Sequence, residues 1–326
     1  MSKTIDVTAA IIVKNNKILS ARRRSSSHLE GYWEFPGGKM KEGETPEFCL
    51  KRELQEEFCI DAKIGAFFEE NTHKYESITI RLLAYWVTHI AGEFKFIDHD
   101  QICWLTSSEL ENLNWAPADI PIVKHLTLHF NTMNFYSNNA RDYCTETVKL
   151  TMDKVYDEFT AQLPGDAYVL DLGCGSGRDS RYFLEKGYKV CAIDGNAEIA
   201  EIAEQYIGQS VIVTQFQEID FKDQFHGVWA SASLLHCTRN QILKILANIV
   251  NALKENGVIF MSFKWGEGES IDDKSRYFNN FTESTLRSLL ESKSELLIIK
   301  TWSDNSTLRG NEQKWVNALL KKKCKE

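Results

Sequence analysis

Three glutamates in the first half of the chain have a spacing that suits metal chemistry. Glu53, Glu56 and Glu57 are related by i, i+3 and i+4, so a helix would place their carboxylates on one face. Thr45 and Pro46 predict the start of that helix, because a hydroxyl N-cap followed by proline is a favoured beginning. Adjacent carboxylates repel one another, whereas Mg²⁺ prefers oxygen ligands and commonly bridges carboxylates to phosphates. The spacing therefore predicts a metal site for a phosphate-containing substrate, with a solvated helix face as the alternative.

The residues around these glutamates extend the pattern. The segment GKMKEGETPEFCLKRELQEEFCI at 38–60 resembles the Nudix box, the signature of hydrolases that cleave nucleoside diphosphates linked to another group. The resemblance implies that Arg52 forms the ion pair that orients the glutamates. The ligands that it implies for Mg²⁺ or Mn²⁺ are the Gly37 carbonyl, Glu53, Glu56 and Glu57. Cys59 departs from the family pattern, because it stands where a glycine usually closes the helix.

Two flanking segments make the likeness more specific. WEFPGGK before the box and WAPADIP at 115–121 resemble the MutT and CTP-pyrophosphohydrolase branch of the family. The nucleotide-binding residues that this branch implies are Arg23, His28, Phe35 and Asp119. An ionised Asp119 would accept a hydrogen bond from the N4 amino group of cytosine. Guanine would fit only a protonated Asp119, and 8-oxo-guanine remains open because it gains an N7–H donor.

The implied reaction is hydrolysis of a nucleoside triphosphate to the monophosphate and pyrophosphate. Mg²⁺ would neutralise the polyphosphate, and Glu53 would accept the proton of the attacking water. The family often supplies a further carboxylate from a loop before a tryptophan. HDQICW offers Asp98 and Asp100 for that position; we take Asp98 as the predicted ligand and leave Asp100 open.

A second pattern, YVLDLGCGSGRDS at 168–180, places alternate glycines after an apolar strand. Gly173, Gly175 and Gly177 would let the backbone approach a ligand that a side chain would block. Dinucleotide and S-adenosylmethionine binders share such a strand-to-helix turn. The glycines do not fit the GxGxxG spacing of dinucleotide binders, because residue 178 is arginine. DLGCGSG instead resembles the S-adenosylmethionine motif of class I methyltransferases.

This second resemblance extends over 136–326 and is closest to the small TehB-like methyltransferases, through segments such as VWASASLLHC and RYFNNFTE. It implies S-adenosylmethionine as the cofactor. The cofactor contacts that it implies are Asp171 and the glycine backbone at the methionine end, Asp194 on the ribose, Asp220 near adenine, and Tyr136 and Tyr143 over the methyl donor. His236 would face the methyl acceptor. Both tyrosines and His236 could equally be buried structural residues.

The charge balance and the absence of two motifs limit the classes of substrate and binding partner that the sequence suits. Lys+Arg number 15 against 19 Asp+Glu in residues 1–130, and 23 against 27 in 131–326, so neither half has the basic excess typical of nucleic-acid binding. No [DNS]PP[YFW] motif follows the fourth strand, and no Pro-Cys nucleophile is present. We therefore expect a nucleotide substrate and a small-molecule methyl acceptor, with no stable nucleic-acid binding. Eight scattered cysteines and the lack of a long apolar run predict a cytoplasmic protein with reduced thiols and no membrane association.

The elements that must position these residues can be predicted in outline. TAAIIV and KILSA predict strands joined by a turn at Asn15-Asn16, and ITIRLLAYWVT predicts another buried strand. These elements agree with an α/β fold: a Nudix α/β/α sandwich over 1–132, then a Rossmann-like class I methyltransferase domain over 133–326. A length of 326 residues suits two such domains. A short connector is expected between them, near 131–135.

The sequence thus predicts a bifunctional enzyme, a Nudix pyrophosphohydrolase fused to a methyltransferase. Two alternatives remain open. In one, the Nudix fold senses a nucleotide without hydrolysing it and regulates the methyltransferase. In the other, the second domain modifies nucleic acid.

Overall fold

The computed structural model describes residues 4–25, 29–95, 97–308 and 311–324. The chain divides into two compact units, Met1–Phe130 and Asn131–Glu326. Among the helices of the described ranges, none combines the length and apolar character needed to cross a membrane.

The first unit is a mixed sheet with a helix on each face. Its elements are β1 (Thr4–Lys14), β2 (Lys17–Arg23), β3 (Trp33–Glu34), β4 (Gly37–Lys39), α1 (Pro46–Phe58), β5 (Asp61–Lys74), β6 (Thr79–Ala91), β7 (His99–Leu105), a 3-10 turn (Leu110–Asn112) and the start of α2 (Ile120–Thr147). The sheet order is β3-β2-β1-β6-β5, with β4 paired to β1 and β7 paired to β2. Only the β1–β6 pair among these is parallel.

Alternation along β1 produces the layers. Ala10 and Ile12 belong to the core that includes Leu50 and Leu54 of α1. Their chain neighbours Ala9 and Ile11 belong to the core on the other face, with apolar residues from the start of α2. Since successive strand residues point to opposite faces, one strand buries side chains against both helices. The α/β/α sandwich predicted from the sequence is confirmed.

The second unit is a seven-stranded sheet flanked by helices. Its elements after α2 are α3 (Asp153–Thr160), β8 (Tyr168–Leu172), α4 (Arg178–Glu185), β9 (Lys189–Asp194), α5 (Ala197–Ile207), β10 (Val211–Val213), β11 (Phe225–Ala230), α6 (Arg239–Ala252), β12 (Leu253–Lys264), β13 (Gly268–Ile271), β14 (Tyr277–Asn280), α7 (Glu283–Glu291), β15 (Leu296–Leu308) and β16 (Asn311–Lys322). Two 3-10 turns, Phe216–Glu218 and Leu234–His236, lie between these elements.

The strand order β10-β9-β8-β11-β12-β16-β15 places the predicted cofactor turn, which follows β8, where the strand order reverses. The five strands from β10 to β12 are parallel, and β16 and β15 add antiparallel pairs. From β8 the chain builds outward through β9 and β10, then returns to add β11 on the other side. Open α/β sheets bind ligands at such a switch point, beyond the carboxyl ends of the strands. The Rossmann-like prediction is confirmed.

Helix α2 differs from the sequence expectation. It runs through 131–135, where a connector is predicted, and its backbone departs from helical values only at Asn139 (φ −123°, ψ 17°). No glycine or proline occurs between 122 and 147 to stop the helix. The hairpin of β13 and β14 forms a separate two-stranded sheet that follows β12.

Candidate active sites

Helix α1 presents the predicted glutamates as a ridge. The Thr45 hydroxyl accepts a hydrogen bond from the backbone N–H of Phe48 at 3.3 Å, which caps the first turn. The side chains of Glu53 and Glu57 are only 12% and 18% exposed, whereas that of Glu56 is 54% exposed. The two inner carboxylates are therefore largely shielded from water.

Arg52 is the cation that holds this ridge. Its Nε and one terminal nitrogen contact the two carboxylate oxygens of Glu44 at 2.7 and 2.9 Å. The other terminal nitrogen donates to Glu53 at 2.6 Å and to Glu56 at 3.0 Å. The hydrogen bonds from Arg52 lower the pKa of Glu44 to about 2. The guanidinium thus occupies the orienting position that the family resemblance implies.

Glu57 lies among like charges. Burial, then the charges of Glu53, Asp98 and Glu34, raises the pKa of Glu57 to about 8. Asp98 also shares a hydrogen bond with Glu57. Asp100 instead pairs with an arginine of β2, at 2.8 Å. Of the two acids that the sequence left open, Asp98 is the one beside the glutamates.

This donor set fits a hard divalent cation. A bound Mg²⁺ would offset the repulsion among Glu53, Glu57 and Asp98, and carboxylate oxygens are its preferred ligands. The backbone leaves room for Glu53, because a Cβ on Gly38 would lie 2.3 Å from its carboxyl carbon. Gly37 is equally constrained, since a Cβ there would lie 1.9 Å from a carbonyl oxygen of β1. In the described ranges no three acidic, histidine or cysteine side chains already have a metal-holding arrangement.

The predicted base pocket forms around Phe35. Its ring lies 4.8 Å from that of Trp115, centroid to centroid, and its backbone N–H donates to Asp119 Oδ1 at 3.0 Å. Asp119 is 4% exposed. Burial first, and then the charge of Glu34, raises the pKa of Asp119 well above its usual range. The predicted cytosine preference assumed an ionised Asp119, whereas burial favours the neutral carboxyl, which can donate a hydrogen bond. The base preference stays a prediction.

Two contacts beside this pocket went unpredicted. Arg23 pairs with Glu34 at 2.5 Å, and the other oxygen of Glu34 lies 2.9 Å from Nε2 of the buried His99. The Nδ1 atom of His99 is 3.9 Å from Glu57 Oε2. Glu34 and His99 each adjoin a predicted residue in the chain, but only the fold shows that they meet. The predicted nucleotide-binding residue His28 lies outside the described residues.

In the second unit, the turn after β8 requires its glycines. The φ angles of Gly173, Gly175 and Gly177 are +83°, +55° and +79°, where side chains are strained. A Cβ on Gly173 would lie 2.4 Å from the Cβ of Ser233. A Cβ on Gly177 would lie 2.7 Å from a methyl group of Ile207. The turn is therefore held close to its neighbours, in a backbone conformation and a space that only glycine fits.

Asp194 is the predicted acid that contacts this turn. It ends β9, and its carboxylate accepts hydrogen bonds from the backbone N–H groups of Gly175 and Asn196 at 3.0 and 2.9 Å. Burial raises its pKa to about 6, while the backbone donors act in the opposite direction. The carboxylate is thus fixed beside the glycine turn.

The other two predicted acids, Asp171 and Asp220, differ from Asp194 in their burial and their partners. Asp171 is 1% exposed and accepts a hydrogen bond from the Ser180 hydroxyl at 2.7 Å, so it anchors the first turn of α4. Asp220 is exposed. Phe216, which went unpredicted, is the side chain near the glycines, since its ring would lie 3.0 Å from a Cβ on Gly173. Its signal was its place in the same short segment after β10 from which Asp220 was selected.

A cavity of about 1290 Å³ opens at the glycine turn. Its lining includes Gly173, Gly175, Tyr136, Tyr143 and His236. Ligand pockets commonly measure roughly 300–1,000 Å³, so this volume suits a methyl donor together with an acceptor. None of the three predicted acids, Asp171, Asp194 and Asp220, lines it. The predicted tyrosines and histidine therefore share one cavity with the predicted cofactor turn.

His236 is fixed as a neutral ring. Its Nδ1–H donates to the Tyr277 carbonyl at 2.7 Å, and its Nε2 accepts from the Tyr136 hydroxyl at 2.7 Å. Burial lowers the pKa of His236 to about 3 and raises that of Tyr136 to about 12. The Tyr143 hydroxyl would lie 3.5 Å from a Cβ on Gly175. The three side chains thus border the turn as neutral groups.

Comparisons with known proteins agree with the two predicted domains. Residues 7–125 match the family described as NUDIX domain, and residues 169–257 match that described as methyltransferase domain. The chain is 36% identical over 122 residues to the CTP pyrophosphohydrolase of Escherichia coli K12, covering 37% of this chain and 90% of that protein. It is 32% identical over 125 residues to the 8-oxo-dGTP diphosphatase of the same organism, covering 38% and 97%.

A solved structure supports the second fold. The 1,6-didemethyltoxoflavin-N1-methyltransferase of Burkholderia thailandensis, with bound S-adenosylhomocysteine, superposes with a TM-score of 0.50. The match covers 64% of this chain and 91% of that one at 24% identity, which shows the fold alone. With the relatives covered almost end to end by the first unit, this chain belongs to the Nudix hydrolase family, and its second unit carries a match to the methyltransferase domain family on a Rossmann-like fold.

Proposed function

We propose that the first unit hydrolyses a nucleoside triphosphate to the monophosphate and pyrophosphate, with Mg²⁺ or Mn²⁺. The observation that supports this most is that the glutamates of α1 have different neighbours. Arg52 binds Glu53 and Glu56, while Glu57 stays among like charges that a cation would offset. A nucleotide sensor has no use for so costly an arrangement of carboxylates.

The residues of the chain then have separate tasks. Bound Mg²⁺ supplies charge neutralisation of the triphosphate and activation of water. Glu53, oriented by Arg52, accepts the proton of the attacking water. Phe35 and Trp115 hold the base, and Arg23 contributes positive charge beside it.

We propose an oxidised guanine as the preferred base and cytosine as the second candidate. A protonated Asp119 keeps one oxygen on the Phe35 N–H and can donate from the other. The O6 atom of a guanine-type base is an acceptor that suits this donor. The hydroxyl oxygen of the protonated carboxyl keeps a lone pair, which can accept from the N7–H that only the oxidised base carries. The related E. coli enzymes are named for CTP and for 8-oxo-dGTP, so both bases occur among similar proteins.

A pyrophosphate-release assay over CTP, dCTP, 5-methyl-dCTP, dGTP and 8-oxo-dGTP tests this proposal. We expect metal-dependent release that is fastest with 8-oxo-dGTP and that EDTA abolishes. The product must be the monophosphate, which ³¹P NMR identifies. No turnover with any nucleotide in Mg²⁺ or Mn²⁺ would favour the sensor alternative.

For the second unit we propose methyl transfer from S-adenosylmethionine to a small-molecule acceptor. The S–CH₃ bond breaks, the acceptor gains the methyl group, and S-adenosylhomocysteine leaves. The glycine turn, Asp194 and the adjoining cavity support this assignment. The eight free cysteines favour a reducing compartment, in keeping with a cytoplasmic enzyme. Calorimetric binding of S-adenosylhomocysteine to the full chain is the first test, and absence of binding would refute it.

A further inference from the structure

One wall of the second unit's cavity carries cations that the methyl donor does not require. Lys264 ends β12, and Arg276 directly precedes β14. Both line the cavity together with Tyr136, His236 and Phe278. The sulfonium of the methyl donor is itself positive, so these cations would repel it. Its one anionic group, the α-carboxylate, belongs to the methionine end, which is predicted at Asp171 and the glycine backbone. The two cations are therefore available to another occupant of the cavity.

Arg276 is held in place before any ligand arrives. Asp272 Oδ2 accepts hydrogen bonds from Arg276 Nε and one terminal nitrogen, at 2.9 and 2.7 Å. Asp272 Oδ1 accepts from the backbone N–H of Arg276 at 2.9 Å, which closes the turn between β13 and β14. The remaining guanidinium nitrogen lies 3.5 Å from the Tyr136 hydroxyl. One face of the guanidinium lies over the Phe135 ring, 4.4 Å from its centroid. A polar edge of Arg276 is therefore left for a ligand.

Lys264 has an aromatic neighbour and no carboxylate. Its ammonium nitrogen lies 3.4 Å from the ring centroid of Phe278, which is buried. In the part of the chain that the structure describes, no acid forms an ion pair with this ammonium. Burial, followed by the charge of Arg276, lowers the pKa of Lys264. A partly buried ammonium beside a second cation is costly unless an anion joins it.

The neighbouring groups do not supply that anion. His236 and Tyr136 are neutral and hydrogen-bonded to each other. Asp272 is the one carboxylate that pairs with either cation among the described residues. Acids line other parts of the cavity, but none is paired with this wall. Over the described part of the chain, Arg276 thus has a carboxylate partner and Lys264 has none, and an aromatic ring lies against each cation.

We propose that this wall binds an oxyanion of the methyl acceptor, which is a small planar molecule carrying a carboxylate or a phosphate. The inference rests on the proposed methyltransferase function and names the acceptor class for it. Lys264 and the free edge of Arg276 bind the anionic group. The half-buried Phe135, which lines the cavity, provides aromatic surface for the planar part.

Two matched probe pairs test the charge requirement. The full chain, saturated with S-adenosylhomocysteine in EDTA, is titrated calorimetrically with 4-nitrobenzoate and with its neutral counterpart 4-nitrobenzamide. The second pair is 4-nitrophenyl phosphate and neutral 4-nitroanisole. We expect the anion of at least one pair to bind tenfold more tightly than its neutral partner. The pair that shows the preference distinguishes a carboxylate acceptor from a phosphate one.

Variants locate the effect. Lys264→Met keeps the aliphatic packing on Phe278 and should reduce the anion preference at least fivefold, as should Arg276→Gln. Lys154→Met is the matched control, because Lys154 lines the same cavity on α3. It should leave the preference unchanged. Absence of a preference in the wild type, or its persistence in both wall variants, would overturn the inference.

S-adenosylhomocysteine binding separates this failure from that of the proposed function. If the wild type and the wall variants bind it equally but no probe shows a charge preference, the acceptor class alone is wrong. If the wild type does not bind it, the methyltransferase proposal fails and the acceptor inference fails with it.

Discussion

Three buried carboxyl groups in the two candidate sites have different neighbours, and the neighbours of each group determine the role that suits it. Glu57 faces other carboxylates, so its burial prepares it for a cation. Asp119 has one backbone donor and a nearby acid, so its burial favours a proton. Asp194 has two backbone donors, which oppose the effect of burial and hold its oxygens toward the cofactor turn. In the proposed function, a side-chain carboxyl group thus serves as metal ligand at Glu57, hydrogen-bond donor at Asp119 and hydrogen-bond acceptor at Asp194.

The protonation of Asp119 should make base preference depend on pH. Below its raised pKa the neutral carboxyl donates to guanine-type bases, and above it the carboxylate accepts from the cytosine amino group. We expect the ratio of kcat/KM for dGTP over dCTP to fall as pH rises. Asp119→Asn cannot ionise, so its ratio should change far less over the same pH range. Equal pH dependence of the ratio in both proteins would show that Asp119 does not read the base.

For single residues, the sequence predicts which side chains form a site better than it predicts their protonation. Spacing and resemblance identify Glu57 and Asp119 because both signals depend only on the order of nearby residues in the sequence. Their protonation could not be predicted, since it depends on burial by distant elements. Phe216 and His99 were missed for the same reason: their partners, Gly173 and Glu34, lie far away in the chain.

Among the elements, α1 shows how far local chemistry reaches. Its start is predictable, because Thr45 and Pro46 act within one turn. Its end is less so, because Cys59 adopts the left-handed conformation with φ 55° and donates its N–H to the Leu54 carbonyl. The fold keeps the helix end that glycine would favour and imposes it on a side chain. The hairpin that carries Arg276 had no such local signal.

Cys59→Gly should therefore stabilise the first unit. Relief of left-handed strain is worth about 1–2 kcal/mol, less about 0.4–1 kcal/mol for the greater freedom of unfolded glycine. We expect a net gain of roughly 0.5–1 kcal/mol in the free energy of unfolding. Scanning calorimetry of the full chain measures it, with S-adenosylhomocysteine used to identify the transition of the second unit. Cys59→Ala is the control, since it removes the thiol but keeps the strain. A lower transition temperature for Cys59→Gly would contradict the strain argument.

On the scale of the whole molecule, each unit contains its own core and its own site. The glutamate ridge lies within Met1–Phe130, and the glycine turn lies within Asn131–Glu326. Composition and two motifs predict this organisation, because each motif requires a particular sheet around it. They did not predict where helix α2 ends, since its sequence from 122 to 147 contains no local stop signal.

Asp194→Ala tests the independence of the two sites. Loss of hydrogen bonds to a charged acceptor should weaken S-adenosylhomocysteine binding by about 1.5–3 kcal/mol, on the order of 10- to 150-fold. Pyrophosphate release by the first unit should be unchanged, since Asp194 belongs to the other core. Asp194→Asn keeps one acceptor oxygen, so its affinity for S-adenosylhomocysteine should lie between those of the wild type and Asp194→Ala. Undiminished affinity in the alanine variant would remove Asp194 from the cofactor site.

The most direct measurement of the central claim is pyrophosphate release by Glu57→Gln at saturating Mg²⁺. The variant keeps the shape of the side chain and removes a ligand charge, so kcat/KM should fall by about 10²–10⁴-fold. Unfolding without Mg²⁺ should occur at the same or a higher temperature, because a source of like-charge repulsion is gone. Turnover within twofold of the wild type, by a folded variant, would contradict the assignment of the glutamate ridge as the metal-dependent hydrolytic site.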